Sequence, residues 1–307
     1  MRGPLPTRIQ HPLALTLPTL SPRSARVQTH GTVGFGADIT YSSIFERSQR
    51  NGDSVDFDNE LLRATGRLRY GFAPNFDLEV EVGGVYGSGG FLDSFIEGFH
   101  SLIGAPNQGR DSAPRDRFAA SIDANGASVY RLEEDRPHVS DTMLVVTWGE
   151  AAVAPREWAN AWRVGLDLPT GDESAGAGSG GLDWIVGWNG EYSEGVLSHF
   201  AGASYGRAQA ADSFERADVE LPDRYALFYG LEWRWDDRFS WVAQLDLGSP
   251  LVREIDLSEI DRPILDLGVG FVRDIGASSR FWLSFHEDLL ADSGPDFAVH
   301  AGWTWGR

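Results

Sequence analysis

Ser284 and His300 are the residues of this sequence best placed for nucleophilic chemistry. A hydrolytic serine needs an imidazole within hydrogen-bond reach and a third group that orients the imidazole. If the connection 289–295 is centred on Asp292, the two stand opposite each other on neighbouring strands and point the same way. No third group can be named from the sequence. Ser198 and His199 are consecutive on one strand, so their side chains leave on opposite faces and cannot pair. Asp256, Glu259 and Asp261 offer oxygen ligands for a hard cation, yet their spacing matches no calcium loop. The sequence holds no HExxH, nucleophile-elbow, dinucleotide or P-loop pattern. It therefore predicts no metal, no cofactor and no enzyme, with a hydrolase built on Ser284 and His300 as the lesser alternative.

A second set of residues has the spacing of a wall. In RLRYGFAPNFDLEVEV, residues 67–82, Leu68, Tyr70, Phe72, Phe76, Leu78, Val80 and Val82 alternate with Arg67, Arg69, Asp77, Glu79 and Glu81. Period two means strands, and the short turn at Ala73-Pro74-Asn75 makes them an antiparallel hairpin. With the turn centred on Pro74, Arg67 faces Glu81 and Arg69 faces Glu79. Asp274 and Arg280 repeat the device across 275–279. Such cross-strand pairs contribute about 0.2–1 kcal/mol each. Their larger effect is on register, because a one-residue slip would exchange the two faces. Arg63, Asp266, Ser284, His286 and His300 fall on the same inward parity. Phe72→Arg, on the apolar face, is expected to disturb assembly far more than Glu79→Gln on the polar one.

The elements that must position these residues are twelve candidate strands, near 29–41, 60–72, 76–86, 140–150, 157–168, 182–192, 196–206, 224–235, 239–248, 264–274, 280–288 and 296–305. Short connections at 73–75, 151–156, 193–195, 236–238 and 275–279 alternate with long ones at 42–59, 87–139, 169–181, 207–223, 249–263 and 289–295. Short periplasmic turns and long outer loops mark a transmembrane barrel, with both termini on the short-turn side. Twelve strands exceed a lipocalin-like soluble barrel. Trp148, Trp158, Trp188, Trp233, Trp235, Trp241, Trp303 and Trp305 gather near the short turns on the apolar parity, as an interfacial girdle would. Trp162 is read one step deeper, with Trp184 and Trp282 outside the row.

Composition agrees. The 307 residues carry a net charge of −19 and no cysteine, which excludes a disulfide framework and thiolate metal sites. So acidic a chain lacks the basic footprint of a nucleic-acid binder. No apolar run approaches the length of a membrane-spanning helix. The fold class expected is all-β, a barrel over residues 27–307 in the outer membrane of a Gram-negative cell, in contact with lipid and lipopolysaccharide. The first residues show no signal peptide, so the exported chain is expected to have lost a leader before this start.

Two segments lie outside the strand pattern. Residues 1–26 are proline-rich and extended, and the apolar Ile9, Leu13, Leu15, Leu17 and Leu20 favour a lumen plug over a periplasmic tether. Residues 91–103 show helical spacing, and Phe91, Leu92, Phe95, Ile96 and Phe99 are expected to form a gate.

The stretches GPLPTRIQHPL (3–13), ADITYSSIFE (37–46), LRYGFAPNFDLEVEV (68–82) and GGFLDSFIEGFH (89–100) resemble a bacterial outer-membrane β-barrel family, the domain of unknown function 3187 family. Leu168-Pro169-Thr170-Gly171-Asp172 is similar, more weakly, to a motif of barrels of aromatic-compound degradation pathways. The chain departs from the usual aromatic end of such barrels, since Gly306-Arg307 follow Trp305. Neither resemblance implies a substrate. Together these readings predict passive passage of a small solute through a polar lumen spaced by Gly34, Gly36, Gly165, Gly187, Gly268 and Gly270. A non-conducting structural or interaction barrel is the alternative.

Overall fold

The computed structural model describes residues 1–94, 96–98, 110, 113–150, 156–209, 211–253, 255–290 and 293–306. Three long strands come first: β1 (Val33–Arg50), β2 (Asp53–Ala73) and β3 (Phe76–Ser88). Three short ones follow: β4 (Ala119–Ala124), β5 (Ala127–Arg131) and β6 (Pro137–Val139). Then come β7 (Thr142–Gly149), β8 (Ala159–Leu168), β9 (Asp183–Glu194), β10 (Leu197–Arg207) and β11 (Arg224–Arg234). The series ends with β12 (Phe239–Gly248), β13 (Ile264–Ile275), β14 (Ser279–Asp288) and β15 (Phe297–Trp305). β1–β3 and β7–β15 pair in chain order, and β1 with β15 closes a twelve-stranded antiparallel barrel, so the barrel keeps no open edge. No helix is long and apolar enough to cross a membrane, among the described residues.

The register follows the charge pattern. Arg67 stands opposite Glu81 and Arg69 opposite Glu79, Asp274 opposite Arg280, and Ser284 opposite His300. On the outer face, Leu68, Tyr70, Phe72 and Val82 are exposed, as lipid-facing residues must be. Trp148, Trp158, Trp233, Trp235, Trp241, Trp303 and Trp305 also face outward, and Trp188 is half-buried, its indole N–H donating to Asn160. Trp162 stands directly opposite both Trp148 and Trp188, level with them rather than deeper. Trp282 turns inward and is buried against Leu5, Val242 and Val272.

Two connections differ from expectation. Residues 42–59 are not a loop, because β1 and β2 remain paired up to Asn51-Gly52, both at positive φ. Asn-Gly is the signature of a tight hairpin turn. The alternation is lost in this stretch because its outer face no longer meets lipid, while its backbone pairing continues. Residues 119–131 likewise form the β4–β5 hairpin around Asn125-Gly126, docked on the extended part of β2.

The turns after β2, β9, β11 and β13 lie at one end of the barrel, and the Asn51-Gly52 turn and the long connections after β8, β10 and β12 lie at the other. Single cysteines in 169–181 or 249–263 should therefore react with impermeant reagents on intact cells, and cysteines in 193–195 should not. Labelling of 193–195 alone would invert the orientation.

Candidate functional site

The barrel interior is occupied by the chain's own N-terminal segment. Proline and short polar residues deny it helix or sheet, so its backbone groups find partners on the wall. The Arg2 backbone N–H donates to Glu232, and its guanidinium reaches Ser240 at 2.7 Å and Asp274 at 3.1 Å. Leu5 exchanges hydrogen bonds with the Gln244 side chain, and Arg8 pairs with Glu81 at 2.9 Å. His11 lies 3.3 Å from Glu46 and edge-on to Phe57. A short 3-10 turn, Ala14–Thr16, reverses the direction. On the way down, Arg163 donates to the Ser21 carbonyl at 2.8 Å, and Arg23 grips Asp77 at 2.8 Å. Glu191 collects Ser24, the Ala25 N–H and the Arg26 guanidinium, and Gln28 ties the base to Asp77 and the Gly306 carbonyl. The segment is thus a hairpin that rises along β11–β13 and descends along β3 and β7–β9.

The interior has two layers. The lower one is ionic. Glu79, almost fully buried, takes Arg69 at 2.6 Å and stands 3.7 Å from both Arg23 and Arg163. Glu81 takes Arg67 at 2.6 Å and Arg63 at 3.3 Å, and Arg67 also pairs with Asp38. The upper layer is apolar: Leu13, Ala14 and Leu17 pack with Ile44, Phe57, Ile122, Tyr130, Phe214 and Leu251. Burial in this cap, outside the membrane span, raises the Tyr130 phenol's pKa while its hydroxyl donates to the Gly176 carbonyl. Voids of about 20 and 40 Å3 lie beside Arg8 and Ile9, each with room for one to a few waters. Above the apex opens a cavity of about 400 Å3, floored by Leu13, Thr16 and Leu17 and walled by β5 and the outer loops.

The expected site residues fall as follows. Arg63, Arg67, Arg69, Asp77, Glu79, Glu81, Asp266, Asp274, Arg280, Ser284, His286 and His300 are inward and buried or partly buried, Arg69 and Asp274 the most open of them. Of the expected glycines, Gly36, Gly268 and Gly270 lie against neighbouring wall residues, while Gly34, Gly165 and Gly187 face the segment. A Cβ on Gly187 would stand 2.8 Å from Leu20, and one on Gly165 3.4 Å from the same side chain, so the space accommodates the segment. Ser284 does not bond His300. Its hydroxyl lies 3.2 Å from His286, while the His300 Nδ1 lies 2.8 Å from the Thr40 hydroxyl. No carboxylate contacts either imidazole among the described residues. Asp256 pairs with Arg50 and Glu259 with Ser48, and no cluster suited to a metal occurs among the described residues.

Of the expected gate, Phe95 and Phe99 lie outside the described residues. Residues 93, 94 and 96–98 are helical, Ile96 is buried and Leu92 is half-buried. Glu60 accepts the backbone N–H groups of Phe91 and Leu92, which holds this helix start against β2. Phe91 does not face the pore. It is 71% exposed and packs 5.8 Å from Tyr41, on the outward parity of β1. In the LPTGD stretch, Asp172 caps a 3-10 turn by accepting the Ala175 N–H, a local structural role.

The profile of a family described as protein of unknown function (DUF3187) matches residues 1–306. The chain belongs to the DUF3187 family. Its fold is also found in the COG4313 outer membrane channel from Pseudomonas putida F1, 14% identical, with a TM-score of 0.61 over 94% of this chain and 100% of that one. The NanC porin is 7% identical, with a TM-score of 0.50 over 88% and 98%. The CymD monoaromatic hydrocarbon channel is 10% identical, with a TM-score of 0.39 over 100% and 94%. No curated protein matches the sequence. This member of DUF3187 is thus a transmembrane β-barrel with the architecture of outer-membrane channels.

Proposed function

We propose that this DUF3187 barrel is an outer-membrane channel for a small solute, held shut by its own residues 2–28. The observation that carries the reading is the seating of that segment. Arg2, Arg8, Arg23 and Arg26 each meet a wall carboxylate, and no covalent bond or strand pairing fixes residues 2–25. Ion pairs and side-chain hydrogen bonds can be exchanged for water or solute, so such a hairpin can leave its place while the barrel stays closed on itself. Its apex is also the floor of the 400 Å3 outer cavity, where an arriving solute would first touch it. The fold shared with the COG4313 outer membrane channel supports passage through the lumen. A merely structural barrel has no need of such a removable filling.

Conductance of the purified protein in planar bilayers tests this. The native chain should be shut most of the time, with rare openings. Arg23→Gln with Arg26→Gln removes the contacts to Asp77 and Glu191, and should raise open probability about tenfold or more, given roughly 1.5–3 kcal/mol for each charged hydrogen bond. Silence in both, with each protein still heat-modifiable on gels, would overturn the channel reading.

A further inference from the structure

All four arginines of the first 37 residues, and none of the chain's 45 acidic residues, precede Asp38. The filling of the lumen is therefore purely basic and the wall that holds it carries the carboxylates. Asp77, Glu79, Glu81, Glu191, Glu232 and Asp274 each hold an arginine of the segment. A second row of carboxylates holds none. Asp246 stands directly opposite Asp266, and Asp266 directly opposite Asp288, on three adjacent strands. No ion pair is recorded for any of the three among the described residues. Thr7 and Gln244 donate to Asp246, the Leu290 N–H donates to Asp288, and one oxygen of the 3% exposed Asp266 has no hydrogen-bond partner. Asp246 also borders the 40 Å3 void beside Arg8.

We infer that the lumen takes an organic cation, with a protonated amine or guanidinium seated first on the Asp246–Asp266–Asp288 row. Two independent observations meet here: Asp266, a buried carboxylate in the middle of the row with an oxygen that has no hydrogen-bond partner, and a resident segment that already binds six other wall carboxylates through guanidinium groups. A solute of that chemistry can take over, one by one, the carboxylates that the segment's arginines release, whereas an anion would face the row unpaired. The inference relies on the channel reading for the route of the cation but not for its binding.

The test uses the full-length protein with spermidine as cationic probe and citrate as anionic probe. Calorimetric titration should show spermidine binding that weakens with salt, at least about tenfold tighter than citrate, and Asp266→Asn with Asp288→Asn should weaken it about tenfold. Open events of Arg23→Gln/Arg26→Gln in a potassium chloride gradient should reverse at a potential of the cation-selective sign. If no variant conducts but spermidine binds and the aspartate variants lose it, the channel reading fails and the cation site stands. Anion selectivity overturns the inference, and so does spermidine binding no tighter than citrate's or unchanged by the aspartate substitutions. Asp266→Asn alone covers the case in which the double variant does not fold.

Discussion

Glu79→Gln is expected to lower the unfolding free energy by about 3–5 kcal/mol, because it leaves buried cations without their carboxylate. Glu79 gathers Arg69, Arg23 and Arg163 around one buried carboxylate. For Arg163, Glu79 is the ion-pair partner recorded among the described residues, and its remaining contact is the Ser21 carbonyl. A buried ion pair adds little net stability when whole, since desolvation offsets its attraction, but breaking it strands the other charge. Urea unfolding of vesicle-inserted protein, followed by loss of heat-modifiability, measures the change. Adding Arg163→Met should recover part of the loss by removing the stranded charge, a non-additivity that a hydrated surface pair would not show. A loss below about 1 kcal/mol, the range of exposed pairs, would mean that water reaches this cluster.

That prediction reverses one made from sequence, where Glu79→Gln was expected to be the mild change and Phe72→Arg the severe one. Alternation shows which face a residue is on, and the hairpin 67–82 was legible down to its pairs, Arg67 with Glu81 and Arg69 with Glu79. It does not show what lies against that face. The neighbours of Glu79 include Arg23, 56 positions earlier, in a segment whose prolines erase any periodicity that could have revealed its path. The reach of β1 and β2 was hidden for a different reason: past Tyr41 and Leu62 their outer face is mostly polar, its apolar Phe45 buried beneath Arg110, so strict alternation lapses and Asn51-Gly52 was the remaining signal. Ser284 and His300 show a third limit. Register put them opposite each other correctly, but rotamer and packing turn His300 to Thr40 and leave Ser284 beside His286. Faces and partners across a ladder follow from period two, whereas contacts between non-adjacent segments follow from three-dimensional packing that one sequence does not display.

Val82→Arg is expected to be the most damaging single change on the outer face, and Phe72→Arg a mild one. Val82 is half exposed on the outer parity of β3, six residues above Phe76. At about 3.3 Å rise per residue and a tilt near 45°, that is roughly 14 Å above the aromatic row, close to the middle of an apolar band about 25 Å tall. There an arginine costs about 2–4 kcal/mol, and its neighbour across the strand is Gly66, which offers no counter-charge. Phe72 instead packs 5.8 Å from Phe76 beside the short turn, where the side chain can reach headgroups and the cost falls to about 0–1 kcal/mol. Folding yield into vesicles should therefore drop severalfold for Val82→Arg and little for Phe72→Arg, with Val82→Leu near the native level as the control for shape. Equal yields for the two arginine variants would place Val82 outside hydrocarbon, and with it the height assigned to the girdle. Because Val82 faces away from the lumen, the fraction of Val82→Arg that does fold should keep the native resistance of the N-terminal segment to displacement, which separates the cost of the lipid face from that of the ionic interior.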